Sequence, residues 1–100
     1  MRPGLTDRRQ RVERRLFDVH ARLDRARAEL AIVEEQLAAF TDAADEARIR
    51  MLVSETAQAD RDWNEARRHS EVMARSRDAA RAAVAELERL QDELLSQLLS

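Results

Sequence analysis

The chain has 100 residues, 38% of them charged and 3% aromatic, with a net charge of −2. That length carries one domain or less, and with one Gly (Gly4) and one Pro (Pro3) the chain has no breakers for a turn-rich sheet fold. The absence of Cys excludes a disulfide framework or a thiolate zinc cluster, and no apolar run approaches the roughly 18 residues of a membrane span.

Ala, Leu, Glu and Arg dominate, the profile of long helices and coiled coils. Met1–Leu16 is Arg-rich and lacks the continuous apolar stretch of a secretory signal, so a cytoplasmic location is expected. All 18 basic residues are Arg. A GC-rich genome accounts for that bias more simply than selective phosphate or carboxylate recognition does.

In chain order, residues 1–6 read as a tail. A first helix follows over about 7–52, because apolar residues then recur at alternating spacings of four and three. They are Val12, Leu16, Val19, Leu23, Ala26, Leu30, Val33, Leu37, Phe40, Ala44, Ala47 and Met51. The positions between them are mostly charged or polar. Such a narrow heptad stripe must meet a partner helix along its length.

The phase is lost after Met51 and resumes differently from Trp63. It then runs through Ala66, Ser70, Met73, Arg77, Ala80, Val84, Leu87, Gln91, Leu94 and Leu98, eight of these eleven positions being apolar. Arg48 and Arg50 suit the last turn of a helix, where the dipole favours cations. Ser54 or Thr56 suits the cap of the next. The spacing therefore predicts a hairpin with an apex at about 53–55 and a second helix over about 56–99. Partners summing to about 106 would bring Val12 to Leu94, Leu16 to Leu90, and Phe40 to Ala66.

Charge fits that orientation. Residues 1–27 hold nine Arg and four acids, whereas residues 86–93 hold four acids and one Arg. Residues 29–46 hold six acids and no Arg, opposite an Arg-rich stretch of the second helix. Two rival arrangements are a break at Phe40-Thr41-Asp42 and one uninterrupted helix in an intermolecular coiled coil.

The expected fold is all-α, an antiparallel coiled-coil helical hairpin that dimerises into a four-helix arrangement. The leucine-rich end offers Leu90, Leu95, Leu98 and Leu99 as the dimerisation surface, because it holds more apolar surface than one seam uses. At the apex, Met51 and Leu52 stand where turns normally carry polar residues. They either cap the end of the bundle or, with Trp63, Arg48 and Arg50, form a candidate partner-binding site, Trp and Arg being enriched at interface hot spots.

No enzymatic motif is present. His20 and His69 lie far apart along a hairpin, the Glu-x-x-His spacing of a diiron bundle is absent, and there is no Gly-rich phosphate loop. No cofactor or metal is expected, and a rod offers no dry concave pocket. The Arg run Arg8, Arg9, Arg11 and Arg15 gives the alternative function, contact with nucleic-acid phosphates. It superficially resembles a bZIP basic region but lacks that family's Asn-x-x-Ala-x-x-Cys/Ser-Arg signature.

The stretch Arg50-Met51-Leu52-Val53-Ser54-Glu55-Thr56 followed by Ala59-Asp60-Arg61 resembles the central segment of small uncharacterised coiled-coil proteins of actinobacteria. That resemblance implies a high-GC bacterial cytoplasm and no particular chemistry. Secreted WXG-type hairpins differ, since Trp63-Asn64-Glu65 replaces Trp-x-Gly. Hairpin regulators of the RNA polymerase secondary channel carry paired acids at the tip, where this chain is mainly apolar. The function expected is therefore a non-enzymatic interaction module (adaptor, scaffold or small regulatory subunit) with itself and another protein as partners and no membrane.

Overall fold

The computed structural model describes residues 4–100. It is an all-α hairpin of two helices, α1 (Leu5–Ser54) and α2 (Ala57–Leu99), forming a rod 78 Å long with cross-section 20 × 14 Å. Of the expected tail, residues 1–3 lie outside the described part.

The alternating four-three pattern explains the pairing. Eleven of the twelve α1 seam positions are buried or half-buried, Phe40 being the exposed one. All eleven α2 seam positions are covered to the same degree, including the polar Ser70, Arg77 and Gln91. Leu23 and Leu94 are fully buried, and Val19, Val84, Ala47 and Ala59 complete the core. Each of these apolar side chains gains roughly 25 cal/mol for every Å² withdrawn from water.

The connection is two residues long and lies slightly beyond the expected apex. Glu55 closes α1 in the left-handed region (φ 49°, ψ 39°), and its N–H donates to Met51 O at 3.1 Å. Thr56 has extended backbone and caps α2, its Oγ1 accepting from Ala59 N–H at 3.1 Å. Of the two cap candidates, Thr56 takes the role, and Ser54 ends α1. Since α1 runs to Ser54, Arg48 and Arg50 lie before its last turn, which contains no basic residue.

The expected pairing register is corrected by about one helical turn. Val12 lines a groove with Leu98. Leu16 shares a groove with Gln91 and Leu95. Phe40 meets His69 edge-on, ring centroids 5.9 Å apart, rather than Ala66. Moving the turn by two residues moves every facing pair by about twice that amount.

Two ion pairs cross between the helices among the described residues: Arg27 with Glu88 at 3.7 Å and Arg81 with Glu34 at 3.8 Å. Nearer the apex, the Thr41 and Ser70 hydroxyls lie 3.4 Å apart. Both ion pairs are exposed, so each is worth under ~1 kcal/mol and sets orientation more than stability.

Candidate docking surfaces

The apex is built by the last turns of α1. Ile49, Leu52 and Val53 fall at i, i+3 and i+4, which puts them on one helix face. That face points away from the seam, and the three side chains are 60%, 58% and 79% exposed. Met51 and Trp63 are instead half-buried seam residues. The five residues expected to act together are therefore divided. Leu52 is on the outer face with Arg48 and Arg50 exposed nearby, while Met51 and Trp63 hold the hairpin closed.

The start of α2 is braced by its own side chains. Arg61 donates to Gln58 Oε1 at 2.9 Å, and Gln58 Nε2 donates to Asp62 Oδ1 at 2.7 Å. Arg67 pairs with Glu71 at 2.8 Å. The apolar character of the apex thus comes from α1 alone.

At the open end the leucines are also divided. Leu90 and Leu98 are half-buried, Leu95 is partly exposed and Leu99 is exposed. An open groove of about 320 Å³ lies on this flank, lined by Glu13, Leu16, Phe17, His20, Gln91 and Leu95. Phe17 on its edge is 78% exposed.

The opposite flank carries the Arg run. Arg8, Arg9, Arg11 and Arg15 line an open groove of about 740 Å³ with Val12, Gln97, Leu98 and Ser100. Within the run, Arg9 pairs with Glu13 one turn on, at 3.2 Å. Three of the four acids expected to neutralise this run are engaged elsewhere, Glu88 by Arg27 across the hairpin at 3.7 Å. Arg89 holds Glu86 at 2.7 Å and Glu93 at 3.3 Å on the surface of α2. Hydrogen bonding and charge from Arg89 hold the Glu86 carboxyl below its ordinary value, and the same partners raise Arg89.

The two histidines are separate surface groups. His20 lies 3.5 Å from Asp24 and His69 lies 4.0 Å from Glu65, each pair one turn apart on its helix. Among the described residues, no group of three or more His, Cys, Asp or Glu is placed to hold a metal ion. No described helix is long and apolar enough to cross a membrane.

The sequence reading missed the outer face of α1 as a continuous feature. Phe17, Ile32, Ile49, Leu52 and Val53 are all exposed outside the seam, Phe17 on the edge of the groove it shares with Gln91 and Leu95 of α2. Ala21, Ala28, Ala31, Ala38 and Ala39 are exposed between them. The equivalent face of α2 carries mainly charge, including Arg61, Glu65, Arg68, Glu71, Arg75 and Asp78. The signal was in the sequence: a second set of apolar residues three and four apart, out of phase with the seam. No family model matches the chain, and no curated protein or solved structure is significantly similar to it.

Proposed function

We propose that this protein is a non-enzymatic protein–protein interaction module of the cytoplasm, an adaptor, scaffold or small regulatory subunit. It docks through the outer face of α1, whose densest part is the apex. One observation carries this reading. Ile49, Leu52 and Val53 are largely exposed on one face, ringed by Arg48, Arg50, Asp45 and Glu46. An apolar centre with a polar rim is how interfaces concentrate binding energy. Self-association belongs to the same reading, since a thin hairpin leaves apolar surface that a second chain covers. The actinobacterial resemblance is compatible with it and adds no activity.

The test is Leu52→Asp in a quantitative pull-down with tagged protein. Capture of the partner should fall by about tenfold or more, as loss of a hot-spot contact does. Thermal stability should change by under ~0.5 kcal/mol, as for an exposed position. Unchanged capture refutes docking at the apex.

A second reading, contact with nucleic-acid phosphates, is favoured by the Arg groove, where Arg8, Arg11 and Arg15 have no ion pair within 4.0 Å among the described residues. Such binding weakens steeply with salt. Docking through Leu52 does not, so a salt titration separates the two.

A further inference from the structure

We infer that the outer face of α1 is covered by a second copy of this chain, α1 running antiparallel to its counterpart about a two-fold axis near Glu35. This rests on reading that face as a docking surface, and it names the occupant.

Three observations select a second copy in this orientation. The first is spacing. Eight of the ten apolar groups on that face are arranged symmetrically about residue 35, whereas Leu52 and Ala28 fall against Asp18 and Asp42. An antiparallel copy brings Phe17 against Val53, Ala21 against Ile49, Ala31 against Ala39, and Ile32 against Ala38. A two-fold interface requires such self-complementarity, because residue i meets j wherever j meets i.

The second is charge. Residues 1–27 hold nine Arg against four acids, and residues 29–46 hold six acids and no Arg. With partners summing to 70, antiparallel packing sets Arg25 against Asp45 where the two blocks meet, while Arg8 to Arg15 lie beyond the other α1, which ends at Ser54. A parallel pair would instead place Glu35, Asp42, Asp45 and Glu46 each beside its own copy. The antiparallel pair retains two like-charged meetings, Asp24 with Glu46 and Glu35 with itself at the axis.

The third is area. The chain exposes 7604 Å². A compact monomer of 11.5 kDa exposes about 5,800 Å². A standard interface takes about 800 Å² from each partner, well under half of the excess. The apolar stretch from Phe17 to Val53 is about 54 Å long at helical rise, so the contact uses most of the rod. Each α1 would then lie between its own α2 and the other chain. This accounts for the outer side of α1 being more apolar than that of α2, where Val72 and Leu99 are the large apolar exceptions.

The chain contains no Cys, so single Cys variants report one position each. The experiment combines sedimentation mass with spin-label distances on full-length chain. The expected result is twice the chain mass, with labels closest at position 35. Axial separations should then be about 20 Å at position 28 and about 40 Å at both 21 and 49. Glu35→Cys should form a covalent dimer on oxidation, and Glu35→Gln should tighten the association by removing the repulsion at the axis. Ile32→Asp with Ile49→Asp should raise the dissociation constant by about a hundredfold or more, as unpaired interfacial charges do, with helicity retained because neither residue is in the seam. Leu99→Asp should leave the dimer intact.

Equal separations at every labelled position mean a parallel pair and overturn the proposal. So do shortest distances near residue 95. A monomeric mass at about 0.5 mM, where even weak interfaces assemble, also overturns it. If that monomer still loses partner capture with Leu52→Asp, the interaction-module reading survives without the second copy. If it does not, both fall.

Discussion

Near the open end of the hairpin Val19, Leu23, Val84 and Leu94 are buried, whereas half-way along the rod Val33, Leu37 and Met73 are only half covered. The periodicity is the same in both places. The difference lies in what stands opposite. Towards the open end, α1 faces Val84, Leu87 and Leu94. In the middle it faces Ser70, Arg77 and small alanines, which leave Phe40 exposed. A heptad stripe thus fixes where the helices touch, and the size of the facing residues fixes how much that contact stabilises. The polar middle contributes to register, as single polar core positions do in coiled coils.

Truncation is the strongest test of that contrast. Leu23→Ala should cost about 3 kcal/mol, because a fully buried leucine leaves a cavity. Leu37→Ala should cost about 1 kcal/mol, since its half-exposed site is already wet. Equal losses in urea melts would mean that the seam is evenly packed. Arg77, with a side chain 26% exposed and bonded to Asp78 at 2.8 Å, provides the converse. Arg77→Leu should stabilise by about 1 kcal/mol, by adding apolar area to the weak middle. No gain would show that the Arg stem already covers the seam as well as a leucine does.

The apex adds a smaller effect. Glu55 adopts a left-handed conformation, which costs a residue with a β-carbon roughly 1–2 kcal/mol. Glu55→Gly should therefore raise stability by about 0.5 kcal/mol, after the extra freedom of glycine in the unfolded chain is subtracted. A lower melting temperature would contradict this. The smallest effect concerns the open end's polar shell. The Glu86 carboxyl should titrate below its ordinary 4.5 by NMR, and Arg89→Gln should return it there. Because its folded value is depressed, the Glu86–Arg89 pair helps the folded state above about 4.5 and loses that contribution as pH falls further. A Glu86 titration unmoved by Arg89→Gln would assign the depression to another group.

Both seams could be read from spacing because position, not residue type, decides which side of a helix faces its partner. Ser70, Arg77 and Gln91 are covered although none is apolar. The turn was harder to place. It contains no Gly, Pro or Asn, and a glutamate in the left-handed region leaves no compositional trace. Only the Thr56 cap marks it, beside a competing Ser54. Hence the facing pairs were expected one turn away from where they lie. At the candidate docking surface, Leu52 was legible as an apolar residue near a turn. Val53 was legible beside it, but Ile49 was not grouped with them, since the common face of the three appears only once α1 is seen to stay helical through Ser54. Met51 and Trp63 were drawn into the same group by nearness in sequence, although the seam claims both.

The two-residue link also orders events in time. Pairs beside Glu55 and Thr56 close very short loops, whereas the buried ends, Leu23 and Leu94, are 71 residues apart along the chain. Loop closure becomes costlier with length, so the hairpin should zip from the apex, pass through its weakest stretch, and reach its best-packed leucines last. Those leucines act after the folding barrier. Their loss speeds opening and leaves the rate of closing almost unchanged, which makes the open end the latch that sets the lifetime of the folded rod.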